Sequence, residues 1–315
     1  MSEFNLIRDY FTWNTTDNNI KLSVGDDAAI LAPESGKDLV ISVDTSISGR
    51  HFPADTPARD IGHKALAVNL SDLAAMGATP SWFTLALTLP EYDTDWLKQF
   101  SEGMRALADE HNIHLIGGDT TRGALSITIQ VAGTAPTGQA LLRSGAQAGD
   151  LICVSGYLGD AAAGLACVQE RLTLTEAHQQ HCIEQLNHPA PQIALGRLLR
   201  GQANSCMDIS DGLSADLNHI LERSGKGARL DSLRLPYSPA LLTLSPEQRR
   251  QYALHGGDDY ELLFTVAPER FEALRVAAAE TGVLITTIGE ITDQTGELVV
   301  DDETMGKPQG FDHFQ

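Results

Sequence analysis

One theme recurs along the 315 residues: a short apolar run closed by a small residue and one or two aspartates. It occurs at Val24-Gly25-Asp26-Asp27, at Ile41-Ser42-Val43-Asp44-Thr45, and around Asp72 in the stretch from Ala67 to Gly77. It returns at Ile116-Gly117-Gly118-Asp119-Thr120-Thr121, Met207-Asp208-Ile209-Ser210-Asp211-Gly212 and Gly256-Gly257-Asp258-Asp259-Tyr260-Glu261. A single Asp of this kind is a turn-former bonding its own backbone. Carboxylates at strand ends beside glycine also suit hard cations with oxygen ligands. Six instances in one chain predict a converging site on a scaffold of mixed strands and helices.

The Asp72 stretch reads as the last turns of a helix that is apolar nearly all round. Thr56-Pro57 supplies its start signal and Gly77 its stop. A spacing of three puts Asn69 and Asp72 on one face. A carboxylate in such surroundings is costly unless something positive meets it. Asp72 is therefore read either as a cap on a neighbouring loop or as a cation ligand.

The length suffices for two domains with substantial cores. A net charge of −20 argues against a general nucleic-acid or anionic-membrane binder, and it repels a nucleotide unless metal ions or local basic residues intervene. Cys153, Cys167, Cys182 and Cys206 form no C-x-x-C pair, and neither a signal peptide nor a membrane-length apolar run is seen. The expectation is a cytoplasmic protein with reduced thiols.

Along the chain, a short helix is expected within residues 1–23. Strands follow at Leu39–Val43 and Trp82–Leu89, on either side of the Asp72 helix. A helix begins at Asp95 with the apolar face Trp96, Phe100, Met104 and Leu107. The strand His114–Ile116 leads into a Gly117-Gly118-Asp119 turn, and alternation over Leu125–Val131 marks a half-buried strand. The Pro, Gly, Gln and Ser of Pro136–Gly149 place a domain boundary, dividing the chain into residues 1–137 and 138–315. Beyond it, strands are expected at Leu151–Val154, into Met207-Asp208, at Glu261–Val266, and near 284–289 and 297–300. Helices are expected at 160–169, 174–186 and 191–200, from Leu213, and over Pro268–Thr281.

Asp26, Asp27, Asp44, Asp72, Asp119, Asp208 and Asp211 could together hold several Mg²⁺ ions, since each ion takes one or two protein carboxylates plus water and phosphate oxygens. The chain has no G-x-x-x-x-G-K-[ST] element and no Rossmann fingerprint. The backbone at Gly117-Gly118 could receive phosphate oxygens, and Arg143 could form a phosphate fork. His51 is either a substrate contact or a structural residue. Nothing resembles a G-x-S-x-G or a Cys-His nucleophile.

The ordered set of these elements resembles the bacterial thiamine-monophosphate kinases, from about Val24 to Phe314. The residues that carry the likeness also include Gly49-x-His51-Phe52, Arg143-Ser144-Gly145-Ala146 and Asp208-x-Ser210-Asp211-Gly212-Leu213. The parent superfamily is that of aminoimidazole ribonucleotide synthetase. The resemblance implies two mixed domains, of the α+β / α/β class. The N-terminal α+β domain would bind ATP and Mg²⁺ and dimerise through its sheet, and a C-terminal α/β domain would close the cleft.

It further implies ATP-dependent phosphorylation of thiamine monophosphate to thiamine diphosphate by direct in-line transfer. Asp27, Ser42, Val43, Asp44, Asp72, Asp119, Asp208 and Asp211 would hold Mg²⁺. Gly118, Asp119, Arg143 and Ser210 would contact ATP, and His51, Asp258 and Phe311 would face thiamine. Asp44, Asp119, Asp211 and Arg143 would carry the transfer itself. An acceptor that is already a phosphate anion needs no strong base, which agrees with a chain rich in aspartate. The alternatives are another ATP-dependent enzyme of the superfamily and a nucleotide- or metal-binding module.

Overall fold

The computed structural model describes residues 3–15, 17–24 and 28–306, apart from the side chains of Glu3 and Phe4. The chain forms two compact units, Met1–Leu73 with Ala78–Gly138, and Ala74–Gly77 with Gln139–Gln315.

The first unit opens with helix α1 (Glu3–Leu6), which runs into a π-turn over Ile7–Phe11. The short pair β1 (Ile20–Leu22) and β2 (Ile30–Leu31) follows. The main elements are β3 (Lys37–Ile47), α2 (Ala58–Ala75), β4 (Thr79–Leu89), α3 (Thr94–Glu110), β5 (His114–Arg122) and β6 (Ser126–Pro136). Their sheet has the order β3-β6-β4-β5, with β4 and β5 parallel and the other pairs antiparallel.

Alternation assigns the two faces of this sheet. Phe83, Leu85 and Leu87 of β4 and Ile127, Ile129 and Val131 of β6 are buried, as are Leu66, Leu70 and Leu73 of α2 and Phe100 and Met104 of α3. On the opposite face Leu39, Ile41, Val43 and Ile47 of the edge strand β3 are exposed. Helix α2 is buried on almost every side, as its all-round apolar sequence predicts. It crosses α3 closely enough that only glycine fits at two points. A Cβ on Gly62 would lie 2.1 Å from the Phe100 carbonyl oxygen, and one on Gly103 would lie 2.0 Å from that of Arg59.

Helix α3 starts one residue before the expected Asp95, because the Asp93 carboxylate accepts from the Asp95 and Trp96 amides. Its innermost first-turn residue is Leu97 and not Trp96, which is half-buried and stacks on Phe100 at 4.9 Å. A second correction concerns Gly117-Gly118-Asp119. These residues continue β5, because parallel pairing with β4 runs from Trp82↔His114 to Leu89↔Arg122 with one irregularity near Ile116. A Cβ on Gly118 would lie 1.9 Å from the Leu85 carbonyl oxygen, so glycine serves close strand packing there.

The second unit contains β7 (Leu151–Ser155), α4 (Asp160–Val168), α5 (Glu176–Asn187), α6 (Ile193–Leu199), β8 (Ser205–Asp208), α7 (Leu213–Ser224) and β9 (Gly227–Leu230). It continues with α8 (Pro246–His255), β10 (Leu262–Val266), α9 (Pro268–Glu280), β11 (Ile285–Thr292), β12 (Leu298–Val300) and β13 (Glu303–Thr304). The sheet order is β13-β12-β9-β11-β7-β10-β8. Among its described strands only β12 and β9 pair in parallel, so both units have an α+β architecture. Leu213, Leu217, Ile220 and Leu221 place α7 on the core that includes Ile152, Val154 and Met207. All four cysteines are free and buried. Among the described residues, no helix is long and apolar enough to cross a membrane.

Candidate active site

In the first unit, the helix α2 meets the edge strand β3 through polar side chains. Ser42 Oγ donates to Asp72 Oδ2 at 2.5 Å, and the Asp44 amide donates to Asn69 Oδ1 at 3.2 Å. Asn69 Nδ2 is turned to the Ala65 carbonyl at 2.9 Å, which fixes the amide's orientation. The face shared by Asn69 and Asp72 is thus the one that anchors β3. Asp72 itself is half-buried and compensated by a hydroxyl donor, so it is neither enclosed nor unpartnered. Val43 lies in the same strand with its side chain 57% exposed on the open face. It offers a cation only its carbonyl oxygen.

Asp119 lies elsewhere. Register places it in the row Thr45–Thr128–Ala86–Asp119, and the Thr45 and Thr128 hydroxyls meet at 2.9 Å on the open face. Strands β3 and β5 are the two edges of the sheet, three spacings or about 14 Å apart. Among the described residues of the first unit, Asp119 thus stands at the far edge of the sheet from Asp44. His51, after β3, accepts the Ile47 amide on Nδ1 at 3.0 Å, which puts the proton of a neutral ring on Nε2. Asp27 and Phe311 lie outside the described residues.

In the second unit the acidic loop follows β8. Asp208 ends that strand and is 5% exposed, and Asp211 lies three residues on. The Asp216 carboxyl, in the first turn of α7, accepts from the amides of Ser210, Asp211 and Gly212 at 3.0, 3.1 and 3.2 Å. Burial, followed by the charges of Asp208 and Asp211, pushes Asp216 up to about 8. Sequence reasoning missed this residue; its signal was an Asp in the first turn of a helix.

The loop carrying Asp258 is bonded to the same segment. Asp258 N donates to Ser210 O at 2.9 Å, Tyr260 N to Ile209 O at 2.8 Å, and Ile209 N to Glu261 O at 2.8 Å. Asp258 and Tyr260 both have positive φ, 68° and 51°, an uncommon backbone for side chains that clusters at functional sites. The Tyr260 hydroxyl donates to Asp258 Oδ1 at 3.1 Å, orienting that carboxylate. Asp259 accepts the Gly159 amide at 2.9 and 3.1 Å, yet burial holds its proton affinity well above the carboxylate norm. Glu261 is bonded by Ser155 and is pushed up to about 7 by burial.

Arg143 is exposed, in a segment running beside β8, because the Cys206 amide donates to Leu142 O at 2.8 Å. The Gly145 and Ala146 amides both donate to Ser224 Oγ at 3.2 Å, which pins the far side of that segment. Among the described residues, no three His, Cys, Asp or Glu side chains lie close enough to hold a metal ion by themselves.

Residues 25–135 match the family model for the AIR synthase related protein, N-terminal domain, and residues 147–302 match that for its C-terminal domain. Thiamine-monophosphate kinase of Escherichia coli strain K12 is 47% identical over 321 residues, covering 99% of this chain and 98% of its own. The chain belongs to the thiamine-monophosphate kinase family. It is accordingly an enzyme, a phosphotransferase.

Among solved structures, thiamine-monophosphate kinase from Stenotrophomonas maltophilia K279a superposes with a TM-score of 0.87 at 48% identity, covering 92% of this chain and 93% of that one. AaThiL complexed with AMPPCP and TMP superposes at 0.81 with 31% identity, covering 93% and 92%. Both units of the kinase fold are therefore represented here almost in full.

Proposed function

We propose that this kinase transfers the terminal phosphoryl group of ATP to thiamine monophosphate, giving thiamine diphosphate and ADP, with Mg²⁺ ions at its aspartates. The observation that carries the reading is geometric: Asp208 at the end of β8 and Asp211 three residues on stand on one turn whose backbone is bonded to Asp216, Glu261 and the Asp258 loop. Each Mg²⁺ takes one or two protein carboxylates, and a polyphosphate with water supplies the remaining oxygen ligands. Support for the substrates comes from the full-length relatives and from AaThiL, whose complex holds AMPPCP and TMP.

The donor atoms fit Mg²⁺: they are carboxylate, hydroxyl and carbonyl oxygens, with no soft ligand among them. Mg²⁺, when bound, neutralises charge on the phosphates. Ser42, Asp44 and Asp72, with Asp27 and the Val43 carbonyl, would hold one Mg²⁺ in the first unit, and Asp119 would meet another; Asp208 and Asp211 would do so in the second. Gly118, Asp119, Arg143 and the Ser210 hydroxyl take ATP. His51 Nε2–H, Asp258 and Phe311 take thiamine. An oxygen of the acceptor phosphate forms the new bond to phosphorus while the bond to the bridging oxygen of ADP breaks in line. No proton need be removed from a phosphate already ionised.

The exposed row Leu39, Ile41, Val43 and Ile47 supports a homodimer joined through the sheet of the first unit. Buried free thiols support the cytoplasm as its compartment. The test is nucleotide turnover by the purified chain with Mg²⁺, with and without thiamine monophosphate. Turnover that depends on the acceptor is expected. Equal turnover without it would contradict the assignment.

A further inference from the structure

Every backbone N–H from Ile209 to Gly212 is bonded inside the fold. Ile209 N donates to Glu261 O at 2.8 Å, and the next three amides converge on Asp216 Oδ2 at 3.0, 3.1 and 3.2 Å. Successive amides turned to one point, at the start of a 12-residue helix, make the concavity that elsewhere receives phosphate. Here a carboxyl oxygen of the chain itself fills it, from a residue only 1% exposed. The turn therefore has no backbone N–H left to receive an anion. The carboxylates of Asp208 and Asp211 suit a cation, and the Ser210 hydroxyl can donate to a phosphate oxygen.

We propose that Asp216 is a positioning residue, whose three hydrogen bonds fix the turn that presents Asp211 beside Asp208 to a divalent cation. This rests on the assignment of Asp208 and Asp211 as cation ligands made above. Gly212 shows why a fixed turn is needed. Its φ is 113°, and a Cβ there would lie 2.9 Å from the His255 backbone, so the chain reverses in a space that leaves no slack. From the other side Asp258 N and Tyr260 N hold the carbonyls of Ser210 and Ile209 at 2.9 and 2.8 Å. Removing the Asp216 oxygen would release three amides at once and let the Asp211 backbone turn.

An asparagine at 216 keeps an acceptor oxygen at the same reach, and an alanine does not. The test uses the full chain with Mn²⁺ as a paramagnetic stand-in for Mg²⁺, in the presence of a non-hydrolysable ATP analogue, with free Mn²⁺ read by electron paramagnetic resonance. Loss of a residue that orients a ligand typically weakens metal affinity about 10- to 100-fold. Asp216→Ala is expected to fall in that range while Asp216→Asn stays within about threefold of wild type. Thermal melts establish that each variant is folded.

Wild-type affinity in folded Asp216→Ala would overturn the proposal, as would equal losses in both variants. If the alanine variant does not fold, Asp216→Asn decides: retained affinity supports the role and a loss of about tenfold or more defeats it. Asp208→Asn is the control for the underlying assignment. Unchanged Mn²⁺ affinity in that control would remove the assignment, and the inference with it. A loss there with none in Asp216→Ala would remove the inference alone.

Discussion

Ser42 on β3 and Asp72 on α2 are joined by a hydrogen bond of 2.5 Å, the hydroxyl donating to the carboxylate. With the Asn69–Asp44 contact one turn earlier, it locks the edge strand to the central helix of the first unit. The same carboxylate is assigned to Mg²⁺, so its structural and functional roles can be separated by substitution. Asp72→Asn keeps an acceptor for Ser42 and removes the charge. Its melting temperature without ligand is expected within a few degrees of wild type, with kcat/KM down at least about tenfold, or ~1.4 kcal/mol. A large drop in melting temperature with activity kept would make Asp72 a strand anchor only.

Glu261 gives a pH-dependent stability. In the folded protein burial raises it to about 7, whereas in the unfolded chain it titrates near 4.5. Between those values the unfolded chain releases a proton that the folded one keeps, so stability falls as pH rises from 4.5 to 7 and is level above. Glu261→Gln removes this dependence while leaving an acceptor for Ser155. Unfolding free energies of variant and wild type, from urea titrations, should converge near pH 4.5 and diverge toward pH 7, by up to about 3 kcal/mol. A constant difference across that range would show that Glu261 is not raised.

The thiols should be inert. Burial pushes Cys153 and Cys182 up to about 12 and also raises Cys167 and Cys206. Since the thiolate is the nucleophile, iodoacetamide at pH 8 should label none of the four in the native protein and all four in urea. Rapid labelling of a native cysteine would contradict its burial.

The open face of β3 predicts an assembly. Leu39 is 56% exposed, Ile41 50% and Val43 57%, an apolar row that a partner subunit would cover. Ile41→Asp should shift the sedimentation coefficient from dimer to monomer without unfolding the sheet, since that side chain touches solvent in the single chain. A wild-type monomer at micromolar concentration would contradict the dimer.

Much of this architecture was legible because local signals agreed with tertiary ones. Helix α2 announces burial on all sides, and α7 carries Leu213, Leu217, Ile220 and Leu221 at helical spacing. Helix α8 was missed even though Ser245 and Gln248 form a capping box around Pro246, since little in that helix is buried beyond Ala253 and Leu254. Strand β9 was missed because Gly227–Leu230 owes its conformation to pairing with β11 and β12, partners far along the chain. At Gly117-Gly118 glycine suggested a turn, and parallel pairing made it strand. The aspartates were recognisable as a class, but their grouping was not: sheet order sends Asp44 and Asp119 to opposite edges. Asp216 looked like any acid in a first turn until its three amide partners were seen.

The identity of the product decides the assignment. The purified chain, given thiamine monophosphate, Mg²⁺ and ATP labelled with ³²P at the terminal phosphate, should form thiamine diphosphate with the label in its terminal phosphate, and chelation of Mg²⁺ should stop it. Label appearing only as inorganic phosphate, or in a product other than thiamine diphosphate, would contradict the account.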